Sequence, residues 1–318
     1  LGPPERRLLE QLAATVDRDR LRADLEALPA PRHRLSEPDR TDAAERRIAA
    51  RLNDAGWRAE RRPFDGGANV VALREGAERS ALAVIAHHDT VAGSGGADDN
   101  GSGVVALIEL ARLLAPFRFK RSIVLAAVDL EETGRFEGSA ALIQTYGPRL
   151  VGAVVFESLA FVDARPGSQR IPPGLSVLYP EQLERARANA LAGTWTLLVY
   201  RSTGLPLARA VAAGFTGFGR GTPLVVRDPL DLPLIGRALP YLVPTVRHFA
   251  RSDHTAFWRN GIPAILLTDT ADLRNPRYHT PFDLPATLDY DRLADTVVAT
   301  AFAICRLAGG EPLSADEG

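Results

Sequence analysis

The chain alternates short apolar runs with stretches of helical periodicity. Residues Pro4 to Leu28 interleave charged and apolar positions at helical spacing and predict an N-terminal helix. A second helix is expected around Asp42, which has capping-box spacing to Glu45; Ile48 and Leu52 repeat at i, i+4, and Gly56 supplies the stop. Trp57–Phe64 and Asn69–Leu73 read as two strands joined by the turn Asp65-Gly66-Gly67. Ala81–His87 is a short apolar strand, followed by a glycine-rich loop whose end opens the helical pattern Val104, Val105, Leu107, Ile108. Ser122–Asp129 and Val151–Phe156 are further buried strands, with a helix from Glu137 to Tyr146 between them.

The signal weakens over residues 161–193, a Pro- and Gly-rich stretch that reads as a loop excursion near the site. Thr196–Tyr200 then predicts a strand, Leu205–Ala213 a helix and Ala264–Thr268 a last buried strand. The terminal helix is expected from Asp289 to Leu307, with Leu293, Val297, Ala301 and Ile304 on one face and Gly309-Gly310 at its end. Strands alternating with helices in this way predict an α/β sheet. No domain boundary is expected, because the polar signals at 87–157 and 253–279 need to meet in space; residues 1–318 form one domain, with 1–60 as helices packed on it.

At 318 residues, 46% apolar and 24% charged, the chain can bury a large core. A net charge of −1 gives no reason to expect nucleic acid as a partner. No apolar run approaches the roughly 18 residues of a membrane span. Cys305 is the only cysteine and lies on the apolar side of the last helix, which excludes an intramolecular disulfide and a Cys-based metal cluster and points to a core thiol. Lys120 is the only lysine and sits in no Schiff-base or P-loop motif. The opening LGPPERRLLEQL is too interrupted by charge to resemble a signal peptide, so the cytoplasm is slightly favoured, with secretion open if a segment was removed ahead of Leu1.

Three successive strands end in groups that carry chemistry: His87, Glu131-Glu132 and Glu157. In a doubly wound sheet, the carboxyl ends of such strands share one side, where ligands bind. His87 and Asp89 share a face of their strand, and a carboxylate beside a metal-bound imidazole fixes its tautomer. Taken alone, His-x-Asp is a hydrogen-bonded surface pair and ADDNGSG a helix N-cap. Twelve residues separate His87 from Asp99, and the acids at two other strand ends change that weighing. In Glu131-Glu132, one acid can bind a metal while its neighbour takes a proton from water.

The segments AHHDTV, GADDNGSG, EETGRFEGS, FES and YHTPFD, in that order, resemble the metal-binding motifs of the dizinc aminopeptidase family. That family also includes glutamate carboxypeptidases, glutaminyl cyclases and the transferrin-receptor ectodomain. The resemblance runs from about Asn69 to Ala308. It implies a single three-layer α/β/α domain, with a mixed twisted central sheet and two zinc ions at the carboxyl ends of the central strands.

Carried over residue by residue, the resemblance makes His87 a ligand of the first zinc, Asp99 the bridging carboxylate, and Glu132 with His279 the remaining ligands of the second. Glu131 would be the general base. The third protein ligand of the first zinc is Asp in many members, whereas this sequence offers Glu157. Asp89 resembles the acid that orients His87, and Tyr278 a residue that contacts the tetrahedral intermediate. Asp253 and His254 would support the loop of His279, while Pro281 and Asp283 would shape it. His33, His88 and His248 carry no role in this scheme.

The resemblance implies a zinc exopeptidase, most simply an aminopeptidase acting on peptides with a free N-terminus. A glutaminyl-cyclase-like aminoacyltransferase would use one zinc, and a carboxypeptidase on the same fold would need a cationic pocket. The aminoacylase and carboxypeptidase family with an inserted lid fits less well, since only 122 residues separate Glu157 from His279. A non-enzymatic binding module would require lost ligands, and all five are present. Oligomeric state and side-chain specificity are not written in the motifs.

Overall fold

Successive residues of the central strands point into two different cores. In the computed structural model, which describes residues 1–217, 223–236 and 238–313, Leu82, Val84 and Ala86 join one apolar cluster while Ala81, Ala83 and Ile85 join the other. Strands buried on both faces need helices on both sides, and the third layer follows from that.

The sheet has eight strands, in the order Arg58–Phe64, Gly67–Arg74, Arg121–Val128, Glu78–His87, Leu150–Glu157, Ala264–Thr268, Leu197–Tyr200 and Leu224–Arg227. The four central strands, from 121–128 to 264–268, are mutually parallel. Antiparallel pairings join Gly67–Arg74 to Arg121–Val128 on one side and Leu197–Tyr200 to Ala264–Thr268 on the other, so the sheet is mixed. One face is covered by helices that include Pro38–Asp54, Gly103–Leu114, Leu205–Gly217 and Tyr290–Ala308, the other by Glu137–Tyr146 and His254–Arg259. Among the described residues, no helix is long and apolar enough to cross a membrane.

The expected N-terminal helix is two helices, Pro3–Thr15 and Arg18–Glu26. Asp17 breaks it: its side chain accepts the amide of Arg20 at 3.0 Å and caps the second helix. The helix expected from Asp42 begins at Pro38, whose fixed φ suits a first turn. Asp42 and Glu45 therefore do not form a capping box; they lie one turn further in and bind Arg34. Residues 161–193 are not all loop, since Leu175–Leu178 and Pro180–Ala188 are helical. The pattern also missed the edge strand Leu224–Arg227 and a two-residue ladder between Phe117–Arg118 and Glu311–Pro312. Cys305 is buried, and burial pushes its thiol up to about 12, which agrees with a core thiol.

Candidate active site

Parallel pairing of the central strands brings their carboxyl ends to one edge. His87 is the last residue of its strand and Glu157 the last of the neighbour, while Glu131 and Glu132 lie in the turn after Val128. Asp99 arrives from an irregular helical turn, Ala97–Ser102, that leads into helix Gly103–Leu114. His279 comes from the loop after the strand Ala264–Thr268 and has φ 59°. Widely separated stretches thus converge.

Two groups of candidate ligands share Asp99, and His87 also stands in a third with Glu131 and Glu132. His87 Nε2 lies 3.3 Å from Asp99 Oδ1 and 3.3 Å from Glu157 Oε2. His279 Nε2 lies 3.0 Å from Asp99 Oδ2 and 3.2 Å from Glu132 Oε2. Among the described residues, His87 Nε2, both oxygens of Asp99 and Glu132 Oε1 are buried without a hydrogen-bond partner. Leaving such atoms unpaired is costly. Imidazole nitrogens and carboxylate oxygens aimed at common centres are a donor set that fits zinc, and each group offers three ligands.

The titration behaviour says the same in electrostatic terms. Burial opposes a charged His87, but Glu157, Glu131, Asp89 and Asp99 around it raise it well above the usual histidine range. Burial likewise works against charge on His279, and Asp99 and Glu132 nevertheless push it up to about 10. Burial, helped by Asp99, pushes Glu132 up to about 7. Burial also raises Glu131 well above the usual carboxylate range, reinforced by Glu157, Asp253 and Glu132. Asp99 goes the other way: burial would raise it, but His279 and His87 hold it well below its usual value. The cluster demands positive charge.

The surrounding hydrogen bonds fix these groups. Asp89 lies with Oδ1 3.4 Å from His87 Nδ1, and its two oxygens accept the amides of Glu131 and Glu132, each at 3.1 Å. Asp283 accepts the amides of Asp98 and Asp99 at 3.0 and 3.1 Å, so it shapes the Asp99 loop. Asn100 reaches across to the Glu157 strand, donating to Phe156 O at 2.8 Å and accepting from Ser158 N at 3.2 Å. Ser252 Oγ donates to Glu157 Oε2 at 2.7 Å.

The SDH segment sits differently from expectation. Asp253 is fully buried, and burial pushes it up to about 7, with His87 and Ser139 favouring its charged form and Asp89 and Glu157 opposing it. Ser252 thus meets Glu157 directly, and it lines one cavity with Tyr278 and His279. His254 points elsewhere, its Nε2 2.8 Å from Phe249 O and its ring edge-on to Trp258. The motif had suggested one shared role for the pair, but successive residues at a helix start face different ways.

Tyr278 stacks on His279, ring centroids 3.8 Å apart, and lines a cavity of about 280 Å³ together with Glu131, Glu132, Glu157 and His279. Burial raises its phenol, which keeps the O–H as a donor at neutral pH. The cavity lining is otherwise rich in apolar side chains: Leu175, Leu197, Val199, Phe249, Leu266 and Leu273. His248 lines it too, although no motif points there. His33 is bonded to Ser36 and does not line the cavity. His88 is buried with Glu45 and Asp129, but that group already holds a cation, since Arg34 pairs with both acids.

A model of peptidase family M28 matches residues 69–164 and 236–303. The uncharacterized protein YfbL of Escherichia coli (strain K12) is 31% identical over 250 residues, covering 74% of this chain and 70% of that protein. Among solved structures, an aminopeptidase from Aneurinibacillus sp. strain AM-1 aligns with a TM-score of 0.69 at 13% identity, over 96% of this chain and 97% of that one. A glutaminyl cyclase from Fimbriiglobus ruber aligns with a TM-score of 0.61 at 16% identity, over 91% and 95% of the two chains. These two likenesses are of fold.

Proposed function

This chain belongs to peptidase family M28, and from that premise we propose that it is a zinc aminopeptidase that removes the N-terminal residue of peptides. The observation that carries the reading is the placement of Asp99, one oxygen toward His87 and Glu157 and the other toward His279 and Glu132. Three protein ligands on each side is the count found in catalytic zinc sites. When bound, the pair of zinc ions supplies Lewis acidity that acidifies water and polarises the scissile carbonyl.

The chain's own residues do the rest. Glu131, buried at the cavity floor with a raised proton affinity, takes a proton from the attacking water and returns it to the leaving amine. Asp89 orients His87 and, through the two amides it accepts, fixes the turn that carries Glu131 and Glu132. Tyr278 donates its O–H to the substrate oxygen that gains charge. Glu131 and Glu157 supply negative charge for a free α-amine.

The test is direct. Purified protein should hold two zinc ions per chain, hydrolyse aminoacyl amides, lose that activity to a chelator and regain it with zinc. One zinc per fully active chain, with ammonia released from N-terminal glutaminyl peptides, would instead support the cyclase reading.

A further inference from the structure

We propose that Arg32 is a positioning residue for the metal-binding cluster, holding the strand end that carries His87 and the loop that carries Asp99 at a fixed separation. The inference rests on the reading that these residues hold zinc. Arg32 lies ahead of residue 69, where the family match begins, and nothing in its own stretch of sequence points to the site.

Its side chain is among the largest that are fully buried, at 1% exposure. Nε donates to His88 O at 2.7 Å and Nη2 to Gly96 O at 2.7 Å, while Nη1 donates to Pro29 O at 3.1 Å. The first acceptor directly follows the ligand His87; the second lies three residues before the ligand Asp99. The third ties the guanidinium to its own segment. Two backbone links complete the clamp: Arg32 N donates to Thr90 Oγ1 at 2.9 Å, and Thr90 N donates to Arg32 O at 3.2 Å.

Among the described residues, this guanidinium makes no ion pair. Burying a charge against carbonyls alone is expensive, so its retention needs a reason. The rigid fork supplies one, since its spacing fixes where the two carbonyls sit relative to each other. Gly96 is an independent sign of the same fit. It has φ +59°, and a Cβ there would meet Thr90 Cγ2 at 2.3 Å and Arg32 Nη2 at 3.0 Å, so the loop backbone approaches the guanidinium as only glycine allows. The charge also faces the cluster: Asp283, Asp89, Asp99 and Glu132 are the acids that favour it, in that order.

The test compares zinc affinity, measured by competition with a chromophoric chelator, in Arg32→Gln, Arg32→Lys and a matched control. Arg74 also caps carbonyls, with Nη1 donating to Leu114, Ala115 and Phe117 at 3.0, 2.9 and 3.2 Å, at the opposite end of helix Gly103–Leu114 from the Asp99 loop. Arg32→Gln should weaken zinc binding by roughly 10–100-fold, the range for residues that support metal ligands. Arg32→Lys should weaken it in the same direction by less, and carries the test should the glutamine variant fail to fold. Arg74→Gln should lower the melting temperature and leave zinc affinity unchanged. Wild-type zinc affinity in both Arg32 variants would overturn the inference, as would an equal loss in Arg74→Gln. A wild-type chain that binds no zinc at all would remove the metal reading beneath it.

Discussion

Asp89 Oδ1 accepts the backbone N–H of Glu131 at 3.1 Å, which couples the strand end carrying His87 to the turn carrying the proposed base. The same oxygen lies 3.4 Å from His87 Nδ1, which also meets Asp89 O at 3.2 Å, so one residue orients the proposed ligand and the proposed base together. An amide in its place cannot accept on both arms. Asp89→Asn is therefore expected to lose roughly 10–100-fold in zinc affinity or in kcat/KM. Full activity and full zinc affinity in that variant would show that the coupling has no functional weight.

Glu131 and Glu132 are adjacent but are assigned opposite tasks. Only Glu132 lies in the group with Asp99 and His279, its Oε2 3.2 Å from His279 Nε2. Glu131→Gln should keep the metal while turnover falls by roughly 10²–10⁴-fold, as for removal of a general base. Glu132→Gln and Asp99→Asn should lose metal as well. Metal analysis beside kinetics checks this, and an empty site in Glu131→Gln with a full one in Glu132→Gln would reverse the two assignments.

The metal-free protein should lose stability as pH rises. His279 has its folded value pushed up to about 10, from a usual 6.5, by Asp99 and Glu132 against the opposing effect of burial. Its folded form therefore binds more protons than the unfolded chain across that window. The stabilisation is complete below the unfolded value and is lost as pH climbs toward the folded one. His87 is shifted in the same direction. Zinc replaces those protons with fixed charge, so melting temperatures should fall between pH 7 and 9 without zinc and change much less with it. Parallel slopes with and without zinc would count against these histidines as the ligands.

Much of this was legible from the sequence because the central strands are short apolar runs that end in acids or imidazole, and parallel pairing then places those ends together whatever the rest of the chain does. Asp99 and His279 were reached through motif resemblance, since no periodicity says that a glycine-rich loop and a distant Tyr-His pair will meet. What stayed hidden was chemistry carried by single residues in unremarkable surroundings. Ser252 bonds Glu157 from 95 residues away, and Arg32 reaches carbonyls 56 and 64 residues away. Backbone acceptors leave no mark in a sequence. The helix start at Pro38 was misplaced for a local reason: Asp42 and Glu45 have capping spacing but are drawn to Arg34.

The cavity wall sets an expectation for side-chain preference. Leu175, Leu197, Val199, Phe249, Leu266 and Leu273 line a space that Glu131, Glu132 and Glu157 also line. Each buried methylene is worth about 0.8 kcal/mol, or roughly fourfold. Leucyl and phenylalanyl amides should therefore be cleaved at least about tenfold better, by kcat/KM, than alanyl amides. Replacing Leu197 with a charged residue should erase that difference. A flat profile across alanyl, leucyl and phenylalanyl substrates would mean that this wall does not receive the N-terminal side chain.

The last expectation concerns which end of the peptide is recognised. Arg135, the arginine nearest the Glu131-Glu132 pair in sequence, has its side chain 79% exposed and paired to Glu137 at 2.8 Å. Arg251 does line the cavity, which the motifs did not reveal, and a carboxypeptidase would use such a cation to hold the terminal carboxylate. That charge is already answered, however: Nη1 lies 3.1 Å from Asp272 Oδ1. Glu131 and Glu157 line the same cavity without an arginine partner among the described residues, so they are the carboxylates placed to meet a free α-amine. Peptides with a free α-amine should be cleaved even when their C-terminus is amidated. Acetylating the amine should abolish cleavage, because it removes the positive charge and adds bulk where the acids sit. Efficient hydrolysis of an N-acetylated dipeptide that also required a free carboxylate would assign Arg251 to substrate binding and make the enzyme a carboxypeptidase.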